Sequence, residues 1–359
     1  MMRVLVVHPE MKFLGGGERL CCDTIRALLS MGHEVTLLTE AFDSQKTEEF
    51  FGYGGLFGRI HLSIYPPSNR DSLFGTSSHL IHHVRGQTLA LKQLKHSDGR
   101  PFDLTFSTQD PGYIPDLSVP VLQWGYFPRY FPDFLPGSLA SLPLHEYYRR
   151  KISRIGLVLA ISQYSKLNLD MKWSRPSALV YPACNMVRAK DKRNLVVTVG
   201  RAIPAKRLEL FWRVAALCPD HDFAMLLTQD PGLVEYSKSL SSGSPVNGRT
   251  IFNPSKETYH KFLGEAKVYL HLMKGEHFGI TIVEAMSASC VPVVHDSGGP
   301  KEIVNEETGL RWQSIEEIPD MIKEAMENSP SSACRLRAED FRFEMFEQKL
   351  SEILSELRA

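Results

Sequence analysis

LVVTVGRAIPAKRLELFWRVAAL, residues 195–217, decides the fold. Residues 195–200 are mostly apolar, have the length of a buried strand and close on a glycine. A turn over 201–205 leads into a helix expected over 206–217, where Leu208, Phe211, Trp212 and Ala215 share one face. Residues 223–228 return as a strand. Two continuous apolar strands joined by a helix imply a parallel pair covered on both sides. The alternation continues with a strand at 267–272, a loop, a helix at 280–288 and a strand at 291–295.

The chain opens in the same way. A strand at 3–8 meets a glycine-rich turn at 14–17, then a helix at 18–31 with Cys21, Ile25, Leu28 and Leu29 on one face. Strands follow at 34–39, 103–107, 119–124 and 156–161. The halves share architecture without sharing sequence, so the expected class is α/β, with two doubly wound Rossmann-like domains rather than a repeat array. A length of 359 residues suits two domains at roughly 150 residues each. The expected boundaries are 1–183, 184–340 and a last segment, 341–359, within a helix over 338–357. That helix carries Phe341, Met345, Leu350, Ile353 and Leu354, and is expected to pack on the first domain. Two such domains are expected to face a cleft at the carboxyl ends of both sheets, where ligands of open α/β sheets bind.

Composition removes several classes. Lys+Arg 41 balances Asp+Glu 41, so no net field draws the chain to nucleic acid. The longest apolar run, residues 156–161, is too short to span a bilayer, and His8-Pro9 interrupts any signal-peptide core. Six cysteines without C-x-x-C spacing fit a reducing cytoplasm rather than a disulfide framework or zinc site.

The chemistry concentrates in three blocks. Gly275-Glu276-His277-Phe278-Gly279-Ile280-Thr281-Ile282-Val283-Glu284 lies between a strand and a helix, so both carboxylates can face the cleft and grip vicinal hydroxyls. The amides of Phe278 to Thr281 open that helix and suit a phosphate. A plain helix start with two solvated glutamates is the bland alternative. Arg201 and Lys206 follow the strand 195–200, where two cations could neutralise a diphosphate. As solvated cations they would oppose the dipole of a helix starting at 206. Ser297-Gly298-Gly299-Pro300 is again strand, glycine turn and helix, and is as readily a ligand loop as a simple tight turn.

Together these blocks resemble the retaining glycosyltransferases of family four, which have the GT-B fold. The likeness extends over about residues 195–303, with a thinner echo in Leu14-Gly15-Gly16-Gly17-Glu18. The resemblance implies catalytic roles for Arg201, Lys206 and Glu276. Arg201 and Lys206 would hold the donor diphosphate and stabilise its departure, while Glu276 would contact the transferred sugar. His277, Phe278, Gly279, Ile280 and Thr281 would bind sugar and phosphate through their amides, and Glu284 would accept ribose hydroxyls. Gly16 and Gly17 would approach the donor phosphate, Gly17 and Tyr126 the acceptor, and Phe252 and Asn253 the base. Glu-His-Phe-Gly-Ile followed by Ser-Gly-Gly-Pro is most similar to the mannosyltransferases of the dolichol pathway. That implies GDP-mannose as donor and a lipid-linked or saccharide acceptor, with no metal and no cofactor beyond the sugar nucleotide. Where those enzymes carry His-aromatic-Pro, this chain has Tyr126-Phe127-Pro128, and a phenol does not shuttle protons near neutral pH as imidazole does.

Other features carry weaker readings. Aromatic residues between 124 and 137, and Phe51, Tyr53 and Phe57, stand near Arg149, Arg150, Lys151 and Arg154. They suit either an anionic membrane surface or internal loops with a solvated helix face, so the expected location is cytoplasmic with a membrane-peripheral option. His79, His82 and His83 have helical metal-ligand spacing, yet no acid or cysteine stands close in sequence, which favours a polar helix face. A nicotinamide dehydrogenase fits Glu40 at the end of the second strand, but Leu20 breaks G-x-G-x-x-G. A sugar-nucleotide epimerase and a non-catalytic sugar-nucleotide binder remain as rivals.

Overall fold

The computed structural model describes residues 1–67, 75–128, 142–327 and 331–357. The chain divides into two units, Met1–Tyr181 with Glu347–Ala359 and Pro182–Phe346.

The first unit holds a seven-stranded sheet: β1 (Arg3–Val7), β2 (Glu34–Glu40), β3 (His61–Tyr65), β4 (Leu104–Ser107), β5 (Val121–Gly125), β6 (Leu157–Ala160) and β7 (Ser177–Leu179). Its order is β3-β2-β1-β4-β5-β6-β7, and every pairing is parallel. Val4 to Val7 are fully buried, as a strand with helices on both faces requires. Strand order reverses between β1 and β4, so the loops after these two strands open a crevice at their carboxyl ends.

The second unit holds six strands: β8 (Arg193–Arg201), β9 (Asp222–Thr228), β10 (Gly248–Phe252), β11 (Ala266–His271), β12 (Val291–His295) and β13 (Leu310–Trp312). The order is β10-β9-β8-β11-β12-β13, again parallel throughout. Its reversal falls between β8 and β11. Val196, Phe211, Trp212, Met225, Val268, Val293 and Trp312 belong to one core over this sheet.

Three local expectations need correction. Lys206 does not begin a helix; it ends a single tight turn, Pro204–Lys206, and Arg207 takes a left-handed conformation at φ 53°. The helix is Glu209–Leu217, and it is Glu209, an acid, that occupies its first turn. No dipole conflict therefore exists at Lys206. The last helix is two helices, Ser331–Glu339 and Phe343–Glu356. The strands β3, β7, β10 and β13 were not anticipated.

All six cysteines are buried and none is bridged. Among the described residues, no helix is long and apolar enough to cross a membrane.

Candidate active site

In the second unit, the loops after β8 and β11 meet at the switch point. The Lys206 stem lies against Gly200, and its ammonium donates to Glu276 Oε2. His271, at the end of β11, places Nε2 3.4 Å from the same oxygen. The Glu276 side chain is only 14% exposed, so it is a paired carboxylate rather than the solvated one of the bland alternative. Burial opposes its ionisation, but Lys206 and His271 outweigh burial and hold the carboxyl well below the usual carboxylate range. Burial also keeps His271 below the ordinary imidazole value. The other Glu276 oxygen accepts the His277 amide at 3.0 Å. Arg201 is half-buried at the end of β8 and forms no ion pair among the described residues.

The helix Ile280–Ser287 is capped by Gly279 at φ 110°, where a Cβ would stand 2.5 Å from Ile282. Its first amides, Ile280 and Thr281, have no intrahelical acceptor. Thr281 bonds Tyr269 at 2.6 Å, and Phe278 is buried on Phe341. Glu284 is held from two sides. It is 4% exposed, with Oε2 held by the Tyr259 hydroxyl and Oε1 accepting the Asn185 amide at 3.3 Å. Both Glu276 and Glu284 act electrostatically on the Tyr269 phenol, so the two carboxylates do share one neighbourhood.

The Ser297–Pro300 run has a structural purpose. A Cβ on Gly298 would lie 2.3 Å from the Glu276 carbonyl oxygen, and one on Gly299 2.5 Å from that of His277. Ser297 accepts the Gly275 amide at 2.8 Å, and Gly299 donates to the Glu276 carbonyl at 2.8 Å. The glycines let this turn lie flat beneath the loop that carries Glu276. Phe252 ends the edge strand β10, and Asn253 follows it. Phe252 packs on the core, and the Asn253 amide group is spent on Gln229.

In the first unit, Gly16 and Gly17 open the helix Gly16–Ser30, and Glu18 accepts the Gly15 amide at 2.7 Å. The Tyr126 hydroxyl donates to the Thr108 carbonyl at 2.9 Å and lies 3.5 Å from where a Gly17 Cβ would stand. Burial pushes this phenol well above its ordinary value. His8, missed in the sequence, sits beside them fully buried, bonded to Thr108 Oγ1 at 2.7 Å and 3.4 Å from Glu18.

The basic cluster is largely engaged within the first unit. Lys151 is buried against the Ile114 carbonyl and Asp116, Arg154 bonds the Pro115 carbonyl at 3.0 Å, and Arg149 bonds Glu146. Phe57 is buried, and Tyr53 bonds Asp23. Tyr130, Phe131 and Phe134 lie outside the described residues. Nor do the three histidines form a polar face, since His83 is fully buried.

Residues 185–339 match the family model described as glycosyl transferases group 1. That stretch of the chain is similar to the group 1 glycosyl transferases. It is 25% identical over 387 residues to the alpha-1,3/1,6-mannosyltransferase ALG2 of Rhizomucor pusillus, spanning 88% of this chain and 82% of that protein. It is 30% identical over 176 residues to the GDP-Man:Man(3)GlcNAc(2)-PP-Dol alpha-1,2-mannosyltransferase of Dictyostelium discoideum, covering 41% of this chain and only 35% of that relative's length. Among solved structures, Anabaena HepE in complex with UDP and glucose superposes with a TM-score of 0.74 at 16% identity, over 99% of this chain and 100% of that one. The fold of this chain is GT-B.

Proposed function

We propose that the chain is a retaining hexosyltransferase that moves mannose from GDP-mannose to a lipid-linked or saccharide acceptor. The carrying observation is the Lys206–Glu276 pair at the switch point of the second sheet, inside the matched region. An ammonium has three donors, so Lys206 can keep Glu276 and still engage a diphosphate, with Arg201 adding a second cation. Charge building on the departing diphosphate would meet these cations and the first-turn amides of the helix Ile280–Ser287. Glu276, kept ionised, can accept sugar hydroxyls. Glu284, fixed by Tyr259 and Asn185, can accept a ribose hydroxyl without first being ordered. In this reading the departing phosphate oxygen takes the acceptor proton on the same face of the sugar, so no protein nucleophile is required. The names of the relatives support mannose and a dolichol-linked acceptor, and such an acceptor would bring the chain to a membrane surface from the cytoplasmic side.

The decisive experiment has two stages. Thermal stability is first measured against GDP, GDP-mannose, UDP and UDP-glucose, because a ligand of the native state raises the melting point by mass action. Transfer of labelled mannose to a dolichol-linked acceptor is then followed in wild type, Arg201→Ala and Glu276→Ala. The proposal expects stabilisation by guanosine nucleotides and transfer lost in both variants; wild-type transfer in either would refute the assigned roles. A non-catalytic binder, the reading favoured by Tyr126 in place of histidine, would be stabilised yet never turn over.

A further inference from the structure

We propose that the first unit holds a divalent transition-metal site, best suited to zinc, built from Glu10, His79 and His83. The helix Gly75–Ser97 presents His79 and His83 four residues apart, on one face. Their Nε2 atoms stand 3.2 Å apart, and His79 Nε2 lies 3.5 Å from Glu10 Oε1, in the loop after β1. These three ligand atoms all fall within 4.8 Å of one another. A tetrahedral zinc with bonds of about 2.0–2.1 Å spaces its ligand atoms by about 3.3–3.5 Å, so the His79–His83 and His79–Glu10 separations are already near the spacing the ion imposes.

The outer nitrogens are committed elsewhere. His83 Nδ1 is 2.9 Å from the Tyr65 hydroxyl oxygen, and His79 Nδ1 is 3.3 Å from that of Tyr113. Tyr65 points its own O–H at the Pro9 carbonyl, 3.4 Å away, so its oxygen accepts from His83 Nδ1–H and leaves Nε2 with a bare lone pair. Metal-binding histidines are oriented by such contacts on the other nitrogen. Gly86 lets the helix approach this closely, because a Cβ there would stand 2.5 Å from the Tyr65 ring.

Burial and charge agree with a cation. His83 is fully buried and Glu10 is 8% exposed, while His79 is more open and leaves an approach for the ion. Glu10 Oε1 receives no well-directed hydrogen bond, although the Lys12 ammonium stands 3.0 Å away. Glu40, buried, places Oε2 3.7 Å from His83 Nε2 and adds a second negative charge, against the single positive charge of Lys12. Two imidazoles and a carboxylate select zinc or its neighbours over magnesium or calcium. The ion would tie the helix Gly75–Ser97 to the loop that leads into the Gly15–Gly17 turn.

The test uses the full chain without a histidine tag, stripped with a chelator and dialysed. Titration with Zn2+ or Co2+ should show one equivalent bound, with the visible absorption of four-coordinate Co2+, and zinc should raise the melting point. His79→Gln and Glu10→Gln should each weaken binding more than about tenfold, the lower end of what loss of even an outer contact costs. His82→Gln should bind as wild type, because His82 faces the Pro66 carbonyl instead. His79 is partly exposed, so its variant should fold, which circular dichroism checks. No bound metal at a hundredfold excess would overturn the proposal and leave Lys12 as the cation of this cluster. Binding unchanged in both His79→Gln and Glu10→Gln would overturn it equally.

Discussion

The amide of Gly299 donates to the carbonyl oxygen of Glu276 at 2.8 Å, so the Ser297–Pro300 turn and the carboxylate loop are one rigid piece. Gly298 in that turn sits at φ 72° with its missing Cβ aimed at the Glu276 backbone. Gly298→Ala combines left-handed strain with a backbone clash, and should cost about 2–4 kcal/mol. Chemical denaturation measures the loss. Transfer should fall further than stability alone explains, since the clash displaces Glu276 itself.

Lys206→Ala leaves a largely buried carboxylate without its cation, with His271 and the His277 amide still beside it. The variant should lose about 2 kcal/mol at neutral pH. The pH dependence has a definite sign. Glu276 is held below its ordinary value near 4.5, so its ionised form stabilises the fold above that pH, and the contribution fades as pH falls toward the lowered value. Without Lys206 that contribution shrinks. The gap in melting temperature between wild type and variant should therefore be widest near about pH 7 and narrow below about pH 4. A constant gap across that range would show that the carboxylate is not what Lys206 stabilises.

In the proposed reading, Tyr259 acts on donor binding through Glu284. Tyr259→Phe removes one charge-assisted hydrogen bond and should cost about 1–2 kcal/mol. With Glu284 loosened, KM for the donor should rise about fivefold to tenfold while kcat stays near wild type. A fall in kcat with KM unchanged would place Glu284 in the bond-breaking step instead.

Tyr126→Phe should lower stability by about 1 kcal/mol, because the Thr108 carbonyl loses its donor. Its phenol titrates far above neutral pH, so kcat should change by no more than a few fold. A loss beyond about a hundredfold would make this hydroxyl a participant in proton transfer.

The legible strands were β1, β2, β4, β5, β6, β8, β9, β11 and β12, all of them interior to their sheets and largely apolar in sequence. The edge strands β3 and β10 escaped because HLSIY and GRTIF keep much of their surface exposed, so neither run nor strict alternation marks them. Lys206 and Glu276 were recognisable from their strand–turn context. Tyr269 and His271 were not, since AKVYLH resembles any core strand and only the folded sheet shows which ends reach the loops. The histidines of the helix Gly75–Ser97 were misjudged for a related reason. Their acid, Glu10, and their tyrosines, Tyr65 and Tyr113, are brought in by β1, β3 and the loop after β4, far along the chain.

Arg207 holds a backbone conformation that glycine adopts freely, and its buried Nη1 finds no acceptor among the described residues. A side chain there costs about 1 kcal/mol or more against glycine. The polypeptide is therefore kept tense at the residue next to Lys206, short of the firmest scaffold its sequence could reach. Relaxing it with Arg207→Gly would harden the molecule against heat while letting Lys206 wander, an exchange that robustness and turnover cannot both win.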